Sequence, residues 1–363
     1  STRTPAPPQF QAASHEQHST PASPRMPNAV HDTMSPMSES LVLLAPAANH
    51  VYAGQAGRLC AAELSLTCPN ATSVAPVTVA GVEYLSIHSE DPLPPADLAA
   101  VARSSAALAC FEYRGDLLAP LELPQVDVVD EDLVTIPKYR GKTNEQFTRL
   151  LLNLTLASLE GRCATRRDEG QRLAILDPLA GRGTTLECAW RAGHNGFGVE
   201  QDAKAVEALA AHVTTWLRRK HLKHSCATHP VRRDGRSLGK RFDAEVRLPK
   251  TEPLAMGVFT GDAADSAVLW GRKTFDAVVT DAPYGVVHGS HSGASRRRSP
   301  TDLLREAIPV WAGQLRHGGA LGMSWNTLGL SREHLVTILS AAGLTPLDDD
   351  LWHQFSHRVD SSI

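Results

Sequence analysis

The chain has 363 residues, 42% hydrophobic and 21% charged, with a formal net charge of −3, values ordinary for a globular protein with room for two domains. That balance exerts no overall pull towards nucleic acid, so any phosphate-binding surface has to be local. Six cysteines without a C-x-x-C pair argue against a zinc ribbon or a disulfide scaffold and fit a reducing cytoplasm, and no apolar run approaches the roughly 20 residues that span a bilayer.

Residues 1–38 are rich in Ser, Pro, Thr, His and Gln and lack apolar periodicity, so a disordered extension is expected there. It carries neither a secretory signal nor the Arg-rich amphipathic face of a transit peptide. From Leu41 the text changes. "LVLLA" reads as a strand, "AGQAGRLCAAELSL" as a helix, and "APVTVA" and "VEYLSIH" as two strands joined at Gly81. "PADLAAVARSS" gives a second helix and "AALACFEY" a closing strand. This β-α-β-β-α-β order predicts a small ferredoxin-like α+β domain over residues 40–120. A Pro- and acid-rich linker over 121–135 follows.

Residues 136–363 make the larger domain. "TNEQFTRLLLNLTLASLEG" predicts a helix with Thr143 as N-cap, Gln146 at the reciprocal capping-box position and Gly161 as its stop. Phe147, Leu150, Leu151, Leu154 and Ser158 line one face. Strands and helices then alternate: "LAILD", a helix from Thr184, "GFGVE", a helix through Trp216, "GVFTGD", "FDAVVTD" and "GGALGMSW". Alternation of this kind predicts an α/β fold with a doubly wound, Rossmann-like parallel sheet.

The strand ends carry the chemistry. Phe275 to Val279 is too continuously apolar to have a wet face, yet it runs into "TDAPYG". "ILDPLAGRGTT" ends a strand at Asp177 and passes Gly181 and Gly183 into a helix near Thr184. Those glycines permit close backbone approach, and the helix start offers free amides. No Gly-Lys-Ser/Thr follows, which excludes a Walker loop. Glu200 ends the next strand, where a carboxylate can accept from a ribose diol. Asp262 follows the third strand and can meet an adenine amino group, with Ala263 supplying an amide. Asp281 ends the fourth. Solvated strand ends explain one or two such acids; four at one sheet edge point to a ligand cleft.

"DPLAGRGTT", "GVE", "TGDAAD" and "DAPYG", in that order, resemble the SAM-dependent amino methyltransferases of the Asp/Asn-Pro-Pro-Tyr/Phe class. "YRGKTNEQFTRLLLNLTL" and the N-terminal module narrow the resemblance to the THUMP-associated tRNA guanine-N2 methyltransferases. It covers roughly residues 41–363 and is sharpest from Tyr139 to Gly285. Ala282 stands where the family usually has its first proline, and the segment before Tyr139 is short for a complete THUMP domain. The resemblance implies S-adenosyl-L-methionine as cofactor, held by Thr143, Asp177, Pro178, Ala180, Gly181, Gly183, Thr184, Glu200, Gln201, Asp262, Ala263 and Asp281. It implies an RNA substrate, tRNA before ribosomal RNA, and a cytoplasmic location; the sequence identifies no protein partner.

An exocyclic amine is a poor nucleophile because its lone pair is conjugated into the ring. A carboxylate and a backbone carbonyl that accept its two N–H bonds aim that lone pair. Asp281 and the Ala282 or Pro283 carbonyl are the expected acceptors, and the Tyr284 ring is expected to stack on the base, so Asp281, Pro283 and Tyr284 form the expected catalytic set. Orientation dominates such a displacement. Carbon-5 pyrimidine methylation needs a thiolate that adds to the ring; no cysteine here follows a proline. Two basic stretches flank the cleft in sequence. Residues 217–250 carry eleven Lys/Arg against three acids, and Arg296, Arg297 and Arg298 close a Gly/Ser-rich loop. Those three arginines and Trp325 are the expected substrate contacts. Adenine-N6 or cytosine-N4 methylation of DNA or RNA, and a SAM- or RNA-binding protein without catalysis, remain alternatives at this stage.

Overall fold

In the computed structural model, the described residues are 38–47, 50–137, 139, 141–249, 251–282 and 299–355. The expected extension, apart from Ser38, lies outside them, as do Pro283, Tyr284 and Arg296, Arg297 and Arg298. Alternating apolar residues build the first sheet. Its elements are β1 (Ser38–Leu44), α1 (His50–Thr67), β2 (Ala71–Val79), β3 (Val82–Ser89), α2 (Pro95–Arg103), β4 (Ala107–Arg114) and β5 (Leu117–Leu121). The strand order is β2-β3-β1-β4-β5, and every neighbouring pair is antiparallel. Val42, Leu85, Ile87 and Cys110 pack against Cys60, Leu64 and Val101 of the two helices, so the helices cover one face of this sheet. Strand β5, which the sequence does not predict, runs up to the first linker residue, Leu121. Pro120 hides it, because proline is tolerated in a sheet only at an edge, and β5 is the edge strand.

The second sheet holds β6 (Ala174–Asp177), β7 (Asn195–Glu200), β8 (Lys223–Arg233), β9 (Arg236–Arg247), β10 (Leu254–Thr260), β11 (Phe275–Asp281) and β12 (Leu315–Ser324). Its order is β12-β11-β6-β7-β10-β9-β8. The strands from β12 to β10 are parallel, whereas β9 and β8 join antiparallel, so the sheet is mixed rather than wholly parallel. The helices are α3 (Asp132–Thr135), α4 (Glu145–Ala157), α5 (Gly161–Asp168), α6 (Thr184–Arg191), α7 (Ala203–Arg219), α8 (Ser266–Trp270), α9 (Pro300–Gln314) and α10 (Arg332–Ala341). Trp190, Leu209, Val213 and Trp216 fill the core on one face; Phe259, Trp270, Phe275 and Trp311 fill the other. Burial on both faces is why Ala277–Val279 is wholly apolar and why Asp276, the one charged residue inside the strand, is met by Arg166 and Arg316.

Residues 36–363 form one compact unit, and α4 joins the two sheets within it. Phe147, Leu150 and Leu154 cluster with Tyr52, Ala56 and Leu59 of α1, while Leu152 and Leu156 enter the large core. Polar bonds add to this seam. Asn153 Nδ2 donates to the buried Glu63 at 2.7 Å, and Arg149 donates to the carbonyls of Arg103 and Ala102. The sequence predicts a single apolar face for α4; two are buried. Its N-cap is Asn144, not Thr143, with Asn144 Oδ1 accepting from Phe147 N at 3.0 Å. Gln146 makes no capping box and instead donates to Ala45 O at 3.5 Å. The helix ends at Ser158, and Gly161, at φ 49°, begins α5. All six cysteines are free thiols. Among the described residues no helix is long and apolar enough to cross a membrane.

Candidate active site at the carboxyl edge of the large sheet

Strands β6, β7, β10 and β11 run parallel and end on one edge, so the topology gathers Asp177, Glu200, Asp262 and Asp281 there. The loop from β6 to α6 lies across this edge. Ala180 N donates to Val199 O at 3.0 Å, and Gly183 N donates to Ala180 O at 2.7 Å. Gly183 takes φ 90°, and a Cβ there would sit 2.5 Å from Leu209 Cδ1. The loop is therefore pressed onto α7 and only glycine fits. Gly181, at φ 52°, has nothing within 4 Å of its virtual Cβ, so the backbone there faces open space. Thr184 and Thr185 start α6, both buried. Pro178 and Ala180 are buried beneath the loop.

Glu200 closes the loop from the β7 side. Its Oε2 accepts from Gly181 N and its Oε1 from Asp202 N, both at 2.7 Å. Burial raises its carboxyl above the usual range, and the backbone amides of Asp202 and Gly181 oppose that shift. Gln201 beside it is exposed. Asp262 Oδ1 accepts from Ala264 N at 2.9 Å, capping a single 3-10 turn. Ala263 is buried, its carbonyl held by Trp311 Nε1 at 3.0 Å. Asp177 has turned inward. It is 3% exposed, and its Oδ1 accepts from Leu179 N and from Thr280 Oγ1 at 3.0 and 2.8 Å. Burial pushes its carboxyl up to about 6. Asp177 thus braces the loop from below, while Glu200 stands at the open side.

Asp281 is half-buried at the end of β11. Thr143 Oγ1 donates to its Oδ2 at 3.0 Å, and Ser324 Oγ donates to its Oδ1. Each carboxylate oxygen is thereby fixed by a hydroxyl, one from before α4 and one from the end of β12. A carboxylate whose two oxygens are each held by a hydroxyl has its orientation set. Thr143 is free for this because Asn144 caps the helix. Ala282 is 2% exposed and its N–H donates to Ser324 O at 2.9 Å, so the residue after Asp281 is tied to the same strand end.

Two further residues belong to this site, and neither has a role that its sequence position reveals. Ser324 pairs in register with Asp281 on the neighbouring parallel strand, a relation that only the strand order reveals. Tyr139 places its hydroxyl 3.3 Å from Thr184 Oγ1, and the Arg182 guanidinium lies 4.6 Å from its ring centroid. The segment before α4 therefore covers the glycine loop and delivers Thr143 to Asp281. Trp325 is directed into the structure. Its Nε1 donates to Leu330 O at 3.0 Å, and its ring packs on the core that holds Trp311.

No described protein family matches the sequence, and no curated protein matches it. Solved structures with a similar chain course include a precorrin-6y C5,15-methyltransferase from Geobacter metallireducens, at 13% identity and a TM-score of 0.33, spanning 60% of this chain and 81% of that one. Another is the 16S rRNA N2 G1207 methyltransferase of Thermus thermophilus in complex with AdoMet and guanosine, at 18% identity and a TM-score of 0.27. There 68% of this chain matches, and it spans about half (48%) of the other. TrmN from Thermus thermophilus matches over 85% of this chain and 92% of its own, at 14% identity and a TM-score of 0.33. These likenesses are too distant to place the chain in a family.

Proposed function

We propose that this protein is a SAM-dependent RNA methyltransferase that modifies the exocyclic N2 of a guanosine, with tRNA as the favoured substrate. The observation that carries the reading is the convergence on one sheet edge of an open glycine loop, Glu200 and the hydroxyl-clamped Asp281. The residues present fit the cofactor. Gly181 leaves room for a ligand against the backbone, Glu200 offers acceptor capacity at the strand end where a ribose diol binds, and Asp262 stands at the next strand end for an adenine amino group. The cofactor is S-adenosyl-L-methionine, which supplies an electrophilic methyl group on a sulfonium sulfur.

Asp281 accepts one N–H of the substrate amine, in the orientation set by Thr143 and Ser324. The carbonyl of Ala282 or Pro283 is assigned the second N–H, and the Tyr284 ring is assigned the stacking face of the base. With both N–H bonds accepted, the nitrogen lone pair points along one line. When bound, the cofactor would supply the methyl group for the N–C bond, its sulfur leaving as a neutral thioether, and the amine proton would pass to solvent. Alignment rather than strong acid–base catalysis supplies most of the rate. Arg296, Arg297 and Arg298 are assigned to RNA phosphates. The N-terminal sheet is read as a ferredoxin-like module over 40–120, a reading supported by its strand order, with a linker over 121–135 and the methyltransferase domain from 136.

Methyl transfer from radiolabelled SAM to tRNA, ribosomal RNA and genomic DNA, with nucleoside digestion and mass spectrometry, tests this reading. Label in N2-methylguanosine is the expected result. Label in a methylated adenine or cytosine would keep the cofactor site and overturn the base.

A further inference from the structure

The hairpin β8–β9 is an addition to the sheet that the strand-end chemistry does not use. Seven of its residues are Lys or Arg, against three acids. Its lower half neutralises two of these charges internally and leaves Lys223 at its far end exposed. Arg241 pairs with Asp243 at 2.7 Å, His229 lies 3.4 Å from the same carboxylate, and Arg247 lies 3.5 Å from Glu245. The tip does not. Arg232, Arg236 and Lys240 are exposed and have no ion-pair partner among the described residues. The single acid there, Asp234, is placed by the turn: Asp234 and Gly235 take φ 51° and 74°, the two left-handed positions that a tight hairpin turn requires. Arg233 and Arg236 stand directly opposite across the strands, and like charges so placed cost stability.

The position of the tip gives it a role. Strand β9 runs antiparallel to β10, with Phe259 opposite Arg241, so Lys240 to Arg236 continues past the end of β10 on the edge that holds Glu200, Asp262 and Asp281. At about 3.3 Å per residue those four steps reach about 13 Å. Gly239 lies against that end, its virtual Cβ 3.0 Å from Thr260 O. Val231 and Leu238 root the tip in the core. Arg233 ties it to α8, the helix that follows Asp262, by donating to the carbonyls of Val268 and Leu269. The hairpin is thus a braced arm holding unneutralised cations beside the cleft.

We propose that the tip of the β8–β9 hairpin is an RNA-docking element, with Arg232, Arg236 and Lys240 on backbone phosphates of the substrate. The partner is RNA because this assignment rests on the methyltransferase reading above, which puts the acceptor base at the same sheet edge.

The test measures binding of an in vitro transcribed tRNA across a salt series, with SAM affinity measured in parallel. Replacing Arg232, Arg236 and Lys240 together by Gln is expected to lower the slope of log affinity against log salt by about 2 to 3, since each phosphate contact contributes about 0.7 to 0.9. SAM affinity should not change. Asp234→Asn keeps a residue that tolerates positive φ and removes the tip's acid; it should tighten binding and steepen the slope. A triple variant with the wild-type slope overturns the hairpin assignment. A wild type that binds no RNA overturns both the hairpin and the RNA substrate. RNA bound through the hairpin without methyl transfer supports the docking element and overturns the proposed activity alone.

Discussion

Strand β11 carries two aspartates, one near each end, and they show how position in a sheet decides what a carboxylate does. Asp276 lies at the amino end with no exposed surface. Arg166 and Arg316 both donate to it, Ala174 N adds a bond at 2.7 Å, and Cys163 Sγ approaches to 3.7 Å. Its charge is cancelled and its acceptors are spent on pinning α5 and β12 to the sheet. Asp281, at the carboxyl end, is half-buried and oriented by the hydroxyls of Thr143 and Ser324. The first carboxylate holds the fold together; the second is aimed outward at the edge where parallel sheets bind ligands.

The sharpest way to break this contrast is to exchange the losses. Asp276→Ala should destabilise the protein by about 3 to 5 kcal/mol, because it leaves two partly buried guanidinium groups without their counter-charge. Urea denaturation measures this, and the activity of the molecules that remain folded should be unchanged. Asp281→Ala should cost little stability and lower methyl transfer about 10²- to 10³-fold, the scale of losing one aligned polar group at a reacting centre, with SAM affinity falling far less than the transfer rate. Equal stability losses in the two variants would remove the distinction.

Asp177 offers a third carboxylate of the same sheet and a pH signature. Its carboxyl is raised from 3.8 to about 6 by burial, so the folded protein binds that proton more tightly than the unfolded chain. The contribution to stability is therefore fully present below about pH 4 and is lost as pH rises through 6. The difference corresponds to about 3 kcal/mol. Asp177→Asn stays neutral throughout, so its stability relative to wild type should improve by about that amount between pH 4 and pH 7, measured by denaturation at each pH. A pH-independent difference would mean that Asp177 titrates normally.

Much of this arrangement was legible in the residues. The apolar run before Asp281, the glycines after Asp177 and the acid after each strand mark a parallel sheet edge, because burial on both faces and close backbone approach leave strong signals. The β8–β9 hairpin is harder to see: "RRDGRS" carries the Asp-Gly pair of a two-residue turn, but its basic flanks lack the apolar alternation that marks strands. Ser324 was invisible for a different reason. A serine at a strand end has no chemistry of its own until strand order sets it beside Asp281. Thr143 is expected as a cap, the commoner use of a threonine before a helix, and by the resemblance as a cofactor contact; Asn144 takes the cap, and Thr143 Oγ1 donates to Asp281.

The clamp itself sharpens the comparison at a smaller scale. Thr143→Ala and Ser324→Ala should each lower the maximal transfer rate about ten- to a hundredfold, or about 1.5 to 3 kcal/mol, the range for a hydrogen bond to a charged group. SAM affinity should stay the same, and Thr143→Ser and Ser324→Thr, which keep the hydroxyls, should restore the rate. A loss of SAM affinity in the alanine variants would assign these hydroxyls to the cofactor instead of to Asp281.

The smallest expected effect concerns Ala282. The resemblance would put a proline there, and a proline stiffens the loop by fixing φ. In this protein the same position is held by a different bond, from Ala282 N to Ser324 O at 2.9 Å, which a proline cannot make. Ala282→Pro therefore exchanges one restraint for another and loses a buried donor whose acceptor stays in place, at a cost of about 1 kcal/mol. The expected outcome is a fall of about fivefold in the transfer rate with SAM binding intact, read from single-turnover kinetics. A faster enzyme would mean that the loop after Asp281 is underdetermined in the natural chain and that Ser324 does not substitute for the missing ring.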